Sequence, residues 1–138
     1  MNFRAVILLV GFGLLPVLLA GRSAPERTAM TGNGRSMLPT LPEACRLVVL
    51  RVPIGEVRVG ALDGDIISTR LNGVGVVHRA VRRLHDGSIV TRGDNNPGPD
   101  SMLTTERNYV GVVIGFEKPG STGELSTPAP RSTGAASS

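Results

Sequence analysis

Apolar residues fall into two kinds of run along this chain. One is a single unbroken block, Ala5 to Ala20, inside MNFRAVILLVGFGLLPVLLAGR. The others are short, rich in Val and Ile, and of strand length: RLVVLRV (46–52), DIISTR (65–70), GVGVVHRAVRRL (73–84), SIVTR (88–92) and NYVGVVIGF (108–116). Turn-forming groups separate them, namely Pro53-Ile54-Gly55, Leu62-Asp63-Gly64, His85-Asp86-Gly87 and the stretch from Gly93 to Pro99. Asp-Gly tolerates positive φ, so His85-Asp86-Gly87 predicts a hairpin turn. No helical period occurs after the N-terminal block. The pattern predicts a mainly β fold, a compact antiparallel sheet domain over 33–117, preceded by one N-terminal transmembrane helix. Residues 23–32 (SAPERTAMTG) read as a polar linker. Residues 118–138 are Ser, Thr, Pro, Gly and Ala with almost nothing to bury, which predicts a disordered tail.

The N-terminal block admits two readings, a cleaved secretory signal or a retained anchor. Its apolar run spans about 24 Å as a helix, against a hydrocarbon core of about 30 Å. Phe3 and a snorkelling Arg4 narrow the gap. Small residues at both specificity positions before a cut are missing: Leu18 precedes Ala20 by two, and Arg22 precedes Ala24 by two. The flanks favour a single-pass membrane anchor over 1–22, with the domain on the extracytoplasmic side.

Composition narrows the partners. A chain of 138 residues accommodates one domain. Aromatics make up 3% with no Trp, so the core must be Val, Leu and Ile. The single cysteine, Cys45, excludes an intramolecular disulfide and a cysteine-based zinc site. The formal charge is +4. The basic residues are nevertheless scattered among carboxylates without aromatic platforms, which argues against a nucleic-acid partner. Of the fifteen basic residues only Lys118 is a lysine.

That scarcity matters for the one segment with nucleophilic character, Gly34-Arg35-Ser36-Met37-Leu38-Pro39-Thr40-Leu41. Glycine permits a tight turn and Pro39 stiffens the segment just after the serine, so Ser36 can present its Oγ and its own amide. Taken alone, a serine in a Gly/Pro-rich loop is a loop residue. As a nucleophile it needs a base within hydrogen-bond reach. Arginine stays protonated, and Lys118 lies beyond the last strand. His78, in a strand, His85, at a hairpin tip where water solvates it, and carboxylates remain; of the two histidines, His78 is the better base. Asp94 and Asp100, in Thr91-Arg92-Gly93-Asp94-Asn95-Asn96-Pro97-Gly98-Pro99-Asp100, are the acids able to orient an imidazole, and the sequence does not choose between them. Asp65 is open to a structural role beside an arginine.

Together these segments resemble the type I signal peptidases, membrane-bound serine proteases that remove signal peptides. Gly34 to Leu41 looks like the nucleophile box, and Gly64-Asp65-Ile66-Ile67 like the Gly-Asp-Ile-Val segment. His78-Arg79-Ala80-Val81 stands where bacterial enzymes carry Lys-Arg and the endoplasmic-reticulum and archaeal type carries His. Thr91 to Asn96 with Asp100 resembles that second type's acidic loop, and Tyr109 to Val113 the closing strand. The similarity covers about residues 33 to 116 and mixes a bacterial-like serine box with the histidine type. It implies the compact antiparallel fold of that family. It also implies Ser36 as nucleophile, His78 as general base, Asp94 and Asp100 as acidic partners, and Gly34, Met37 and Leu38 at the oxyanion and substrate subsites. No metal or cofactor is implied. The implied partners are membrane lipid and the signal peptides of preproteins with small residues before the cut. A maturation protease dedicated to one exported client, or an inactive peptide-binding β module, would share these residues.

Overall fold

A computed structural model describes residues 26–32 and 34–133. The expected membrane helix over 1–22 lies outside the described residues, among which no helix is long and apolar enough to cross a membrane.

The described chain is mainly β. Its strands are β1 (Arg27–Gly32), β2 (Cys45–Leu50), β3 (Ile66–Leu71), β4 (Val74–Arg83), β5 (Ile89–Arg92) and β6 (Tyr109–Glu117). A single 3-10 turn at Ile54–Glu56 is the helical element among the described residues. All six strands form one antiparallel sheet in the order β1-β2-β6-β3-β4-β5. Asn72 and Gly73 both take positive φ between β3 and β4, the geometry of a two-residue turn that matches strand twist. Gly87 takes φ 87° in the expected β4–β5 turn.

Adjacent residues of β3 show how the sheet is used. Ile66 and Ile67 point to opposite faces, and each is buried in a different apolar cluster. Ile66 joins Met37, Leu41, Leu47, Val113 and Phe116, so the serine-bearing turn covers that face. Ile67 joins Val57, Ala80 and Ile89 on the other. Both faces are therefore apolar, which is why the strands read as near-continuous Val/Ile runs rather than a clean alternation.

Two segments differ from expectation. Residues 27–32, read as linker, form the edge strand β1, paired from Arg27 with Leu50 to Gly32 with Cys45. An edge strand can be specified by ladder hydrogen bonds while its side chains stay in water, so it leaves no apolar signature. Residues 118–133, expected as disordered, turn at Gly120 and Gly123 and run back over the sheet. Ser126 exchanges both backbone hydrogen bonds with Phe116, and the Arg131 N–H donates to the Leu62 carbonyl at 2.8 Å. Low hydrophobicity removes side-chain burial but not backbone pairing.

Tyr109 is a local defect. Its hydroxyl is buried and meets no partner among the described residues. Burial, then the charges of Asp65 and Glu56, push its pKa up from 10.0 to about 12. Removing an unsatisfied buried hydroxyl should stabilise, so Tyr109→Phe is expected to gain about 1 kcal/mol in urea unfolding near neutral pH. In the native state the phenol keeps its proton through the window where the unfolded chain loses it. Its contribution is thus complete below pH 10 and lost as pH rises toward 12. Stability of the wild type should decline across that window more than that of the variant; a destabilised variant would show that the hydroxyl has a partner.

Candidate active site

Strand β4 sets the site. Its alternation sends His78 and Arg79 to opposite faces. Strand β5 pairs with β4 only from Arg79 to Arg83, so Val74 to His78 pair with β3 alone among the described residues. The Ser36 turn lies beside this open stretch. It is closed by Leu38 N–H to the Arg35 carbonyl (3.1 Å) and Leu41 N–H to the Met37 carbonyl (3.0 Å). Met37 and Leu41 are buried beneath it. The acidic loop clamps the same turn: Asn95 N–H donates to the Ser36 carbonyl at 2.8 Å, and Asn95 Nδ2 donates to the Arg35 carbonyl at 3.1 Å. A Cβ on Gly93 would stand 2.7 Å from the Ser36 carbonyl oxygen, so only glycine lets the loop approach this closely.

These constraints join three side chains. Ser36 Oγ lies 2.9 Å from His78 Nε2, and His78 Nδ1 lies 2.5 Å from Asp100 Oδ2. The Asp100 carboxylate accepts, so Nδ1 carries the proton and Nε2 is left as the acceptor facing the serine hydroxyl. Thr91 Oγ1 donates to the same Asp100 oxygen at 2.6 Å, and the Asp100 N–H donates to the Thr91 carbonyl at 2.8 Å. Strand β5 thereby fixes the acid. His85 is exposed in the β4–β5 turn, away from this group.

Asp94 does not reach the imidazole. It forms a two-bond ion pair with Arg79, Nε to Oδ1 at 2.9 Å and Nη2 to Oδ2 at 2.7 Å. The side chains are 3% and 2% exposed. Thr40 Oγ1 donates to Asp94 Oδ2 at 2.6 Å. Arg79 also donates from Nη1 to the Gly64 carbonyl (2.7 Å) and from Nη2 to the Ala129 carbonyl (3.2 Å). The expected pair of acidic partners is therefore divided: Asp100 holds the histidine, and Asp94 holds the far end of the serine turn. Asp65 pairs with the exposed Arg58 at 3.0 Å.

A cleft of about 490 Å³ opens beside Ser36 and His78. Of the expected subsite residues, Gly34 and Met37 line it and Leu38 does not. The hydrogen bonds of the turn put Met37 and Leu41 inward, and Leu41, Cys45 and Leu47 supply apolar lining in place of Leu38. Burial pushes the Cys45 thiol pKa up, consistent with a packing role. Thr40, Thr91 and Asn95 lie inside the quoted segments, but their roles could not be read there: Thr40 and Asn95 bond residues far along the chain, and Thr91 bonds Asp100 across the acidic loop. Among the described residues no three His, Cys, Asp or Glu side chains gather as a metal site.

No family model, no curated protein and no solved structure matches the chain.

Proposed function

We propose that the protein is a membrane-anchored serine endopeptidase of the type I signal peptidase kind, which removes signal peptides from exported preproteins after small residues. The observation that supports this most is the Ser36–His78–Asp100 relay facing an apolar cleft beside the Val74–His78 edge, which β5 leaves uncovered. An extended peptide adds to such an edge through main-chain hydrogen bonds, which brings a scissile carbonyl to the serine. His78 Nε2 takes the Ser36 proton as Oγ attacks that carbonyl. The imidazolium gives the proton to the leaving amine, and a water activated by the same nitrogen then releases the acyl group. Asp100 stabilises the imidazolium throughout. The Ser36 N–H, which meets no acceptor among the described residues, is the donor available to the oxyanion. One such donor is worth about 3 kcal/mol. In this reading the apolar block at 5–20 anchors the enzyme in the membrane that holds its substrates and raises their effective concentration.

The test is cleavage of a model preprotein with Ala at the first and third positions before the cut. It uses full-length protein in lipid or detergent, beside Ser36→Ala. Cleavage after the small residue by wild type alone is the expected result. If neither protein cuts, the reading gives way to a protease with one dedicated client or to a β module that binds extended peptides. Crosslinking an extended peptide to the folded protein then separates these two.

A further inference from the structure

The C-terminal segment lies outside the relay and contacts a residue that supports it, Arg79. Leu125 packs near Gly115, where a Cβ would stand 3.0 Å away. Ser126 is locked to Phe116 by two backbone bonds, and Arg131 is tied to Leu62. Between these anchors the Ala129 carbonyl accepts from Arg79 Nη2. Arg79 in turn grips Asp94, Asp94 accepts from Thr40, and the Asp94 N–H meets Met37 Sδ at 3.4 Å. The next residue, Asn95, holds the Ser36 carbonyl. The path from strap to nucleophile is continuous, and each link is a directed polar contact. An arginine without Ala129 would leave one Nη2 donor for water and lose a lid over a buried ion pair, which costs orientation more than fold.

We propose that residues Leu125–Arg131 are a positioning strap for the serine turn, acting through Arg79 and Asp94 rather than touching substrate. This inference rests on the serine peptidase reading for its catalytic consequence, but its structural consequence is independent of it. A full-length chain is compared with one ending at Gly123 and with Arg131→Pro, which removes the N–H that donates to Leu62. Two readouts are taken: preprotein cleavage, separated into kcat and KM, and amide hydrogen exchange of Asn95 and Leu41 against Ile67 in the core.

Both variants should lose about tenfold or more in kcat with KM little changed, the mark of lost alignment rather than lost binding. Exchange at Asn95 and Leu41 should quicken while Ile67 stays protected, and adding the 124–133 peptide to the truncated chain should restore both. Unchanged exchange at Asn95 and Leu41 would overturn the proposal. So would equal acceleration at Ile67, because the segment would then be an ordinary part of the fold. If the wild type does not cut the preprotein, the signal peptidase reading gives way, and the exchange data still decide the strap.

Discussion

Alanine at Ser36 or at His78 is expected to abolish preprotein cleavage, each lowering kcat by about 10⁴-fold or more, with the double variant hardly worse than either single one. The two groups act as one unit: at 2.9 Å the imidazole is the base that meets the hydroxyl among the described residues. Asp100→Asn is the sharper probe. The amide keeps the shape of the site, but with its NH₂ in place of Oδ2 it donates to Nδ1, and the Thr91 hydroxyl then has to accept from it rather than donate. That would place the histidine proton on Nε2, where it opposes the serine hydroxyl, so a loss of about 10⁴-fold is expected from the wrong tautomer. His85→Ala should retain activity close to wild type, since His85 is exposed in the turn between β4 and β5. Equal loss at His85 would sink the assignment of the base. Circular dichroism and urea midpoints of all five variants guard against unfolding as the cause.

The second large effect concerns stability. Arg79→Met and Asp94→Leu should each cost about 3–5 kcal/mol in urea unfolding, because each leaves a buried charge without its partner. The costs should be unequal. Without Asp94 the guanidinium still donates to the carbonyls of Gly64 and Ala129. Without Arg79 the carboxylate keeps, among the described residues, the Thr40 hydroxyl and no opposite charge. Arg79→Met is therefore the worse single change. The double variant should cost less than the sum of the two, since neither charge is then left stranded. Additive losses would show that the pair is not energetically coupled. Cleavage should fall in both single variants as well, through the Thr40 and Met37 contacts that tie Asp94 to the serine turn.

Several features of this protein are legible in the chain alone because their physics is local. The five Val/Ile-rich runs are the strands β2 to β6, since apolar clusters lie on both faces of the sheet and β-branched residues suit such positions. The turn at His85-Asp86-Gly87 follows from the φ that glycine allows. His78 stands out over His85 because a strand fixes a side chain's direction and a hairpin tip leaves it to water. Strand alternation alone also separates His78 from Arg79.

Other assignments depend on contacts between residues far apart in the chain. Asp94 and Asp100 stand in one loop with the same chemistry. Which of them meets the imidazole depends on how that loop crosses β4, where one acid follows the face of His78 and the other that of Arg79. The cleft lining passes from Leu38 to Leu41, Cys45 and Leu47 because the Ser36 turn closes through its own backbone bonds. Strand β1 and the strap at 125–131 are held by ladder and anchor hydrogen bonds to partners elsewhere in the chain, which leave no hydrophobic pattern. The residue types and the strands that carry most of them are readable along the chain. Which donor meets which acceptor emerges from the fold, because a hydrogen bond is fixed by distance and direction in space and not by separation along the chain.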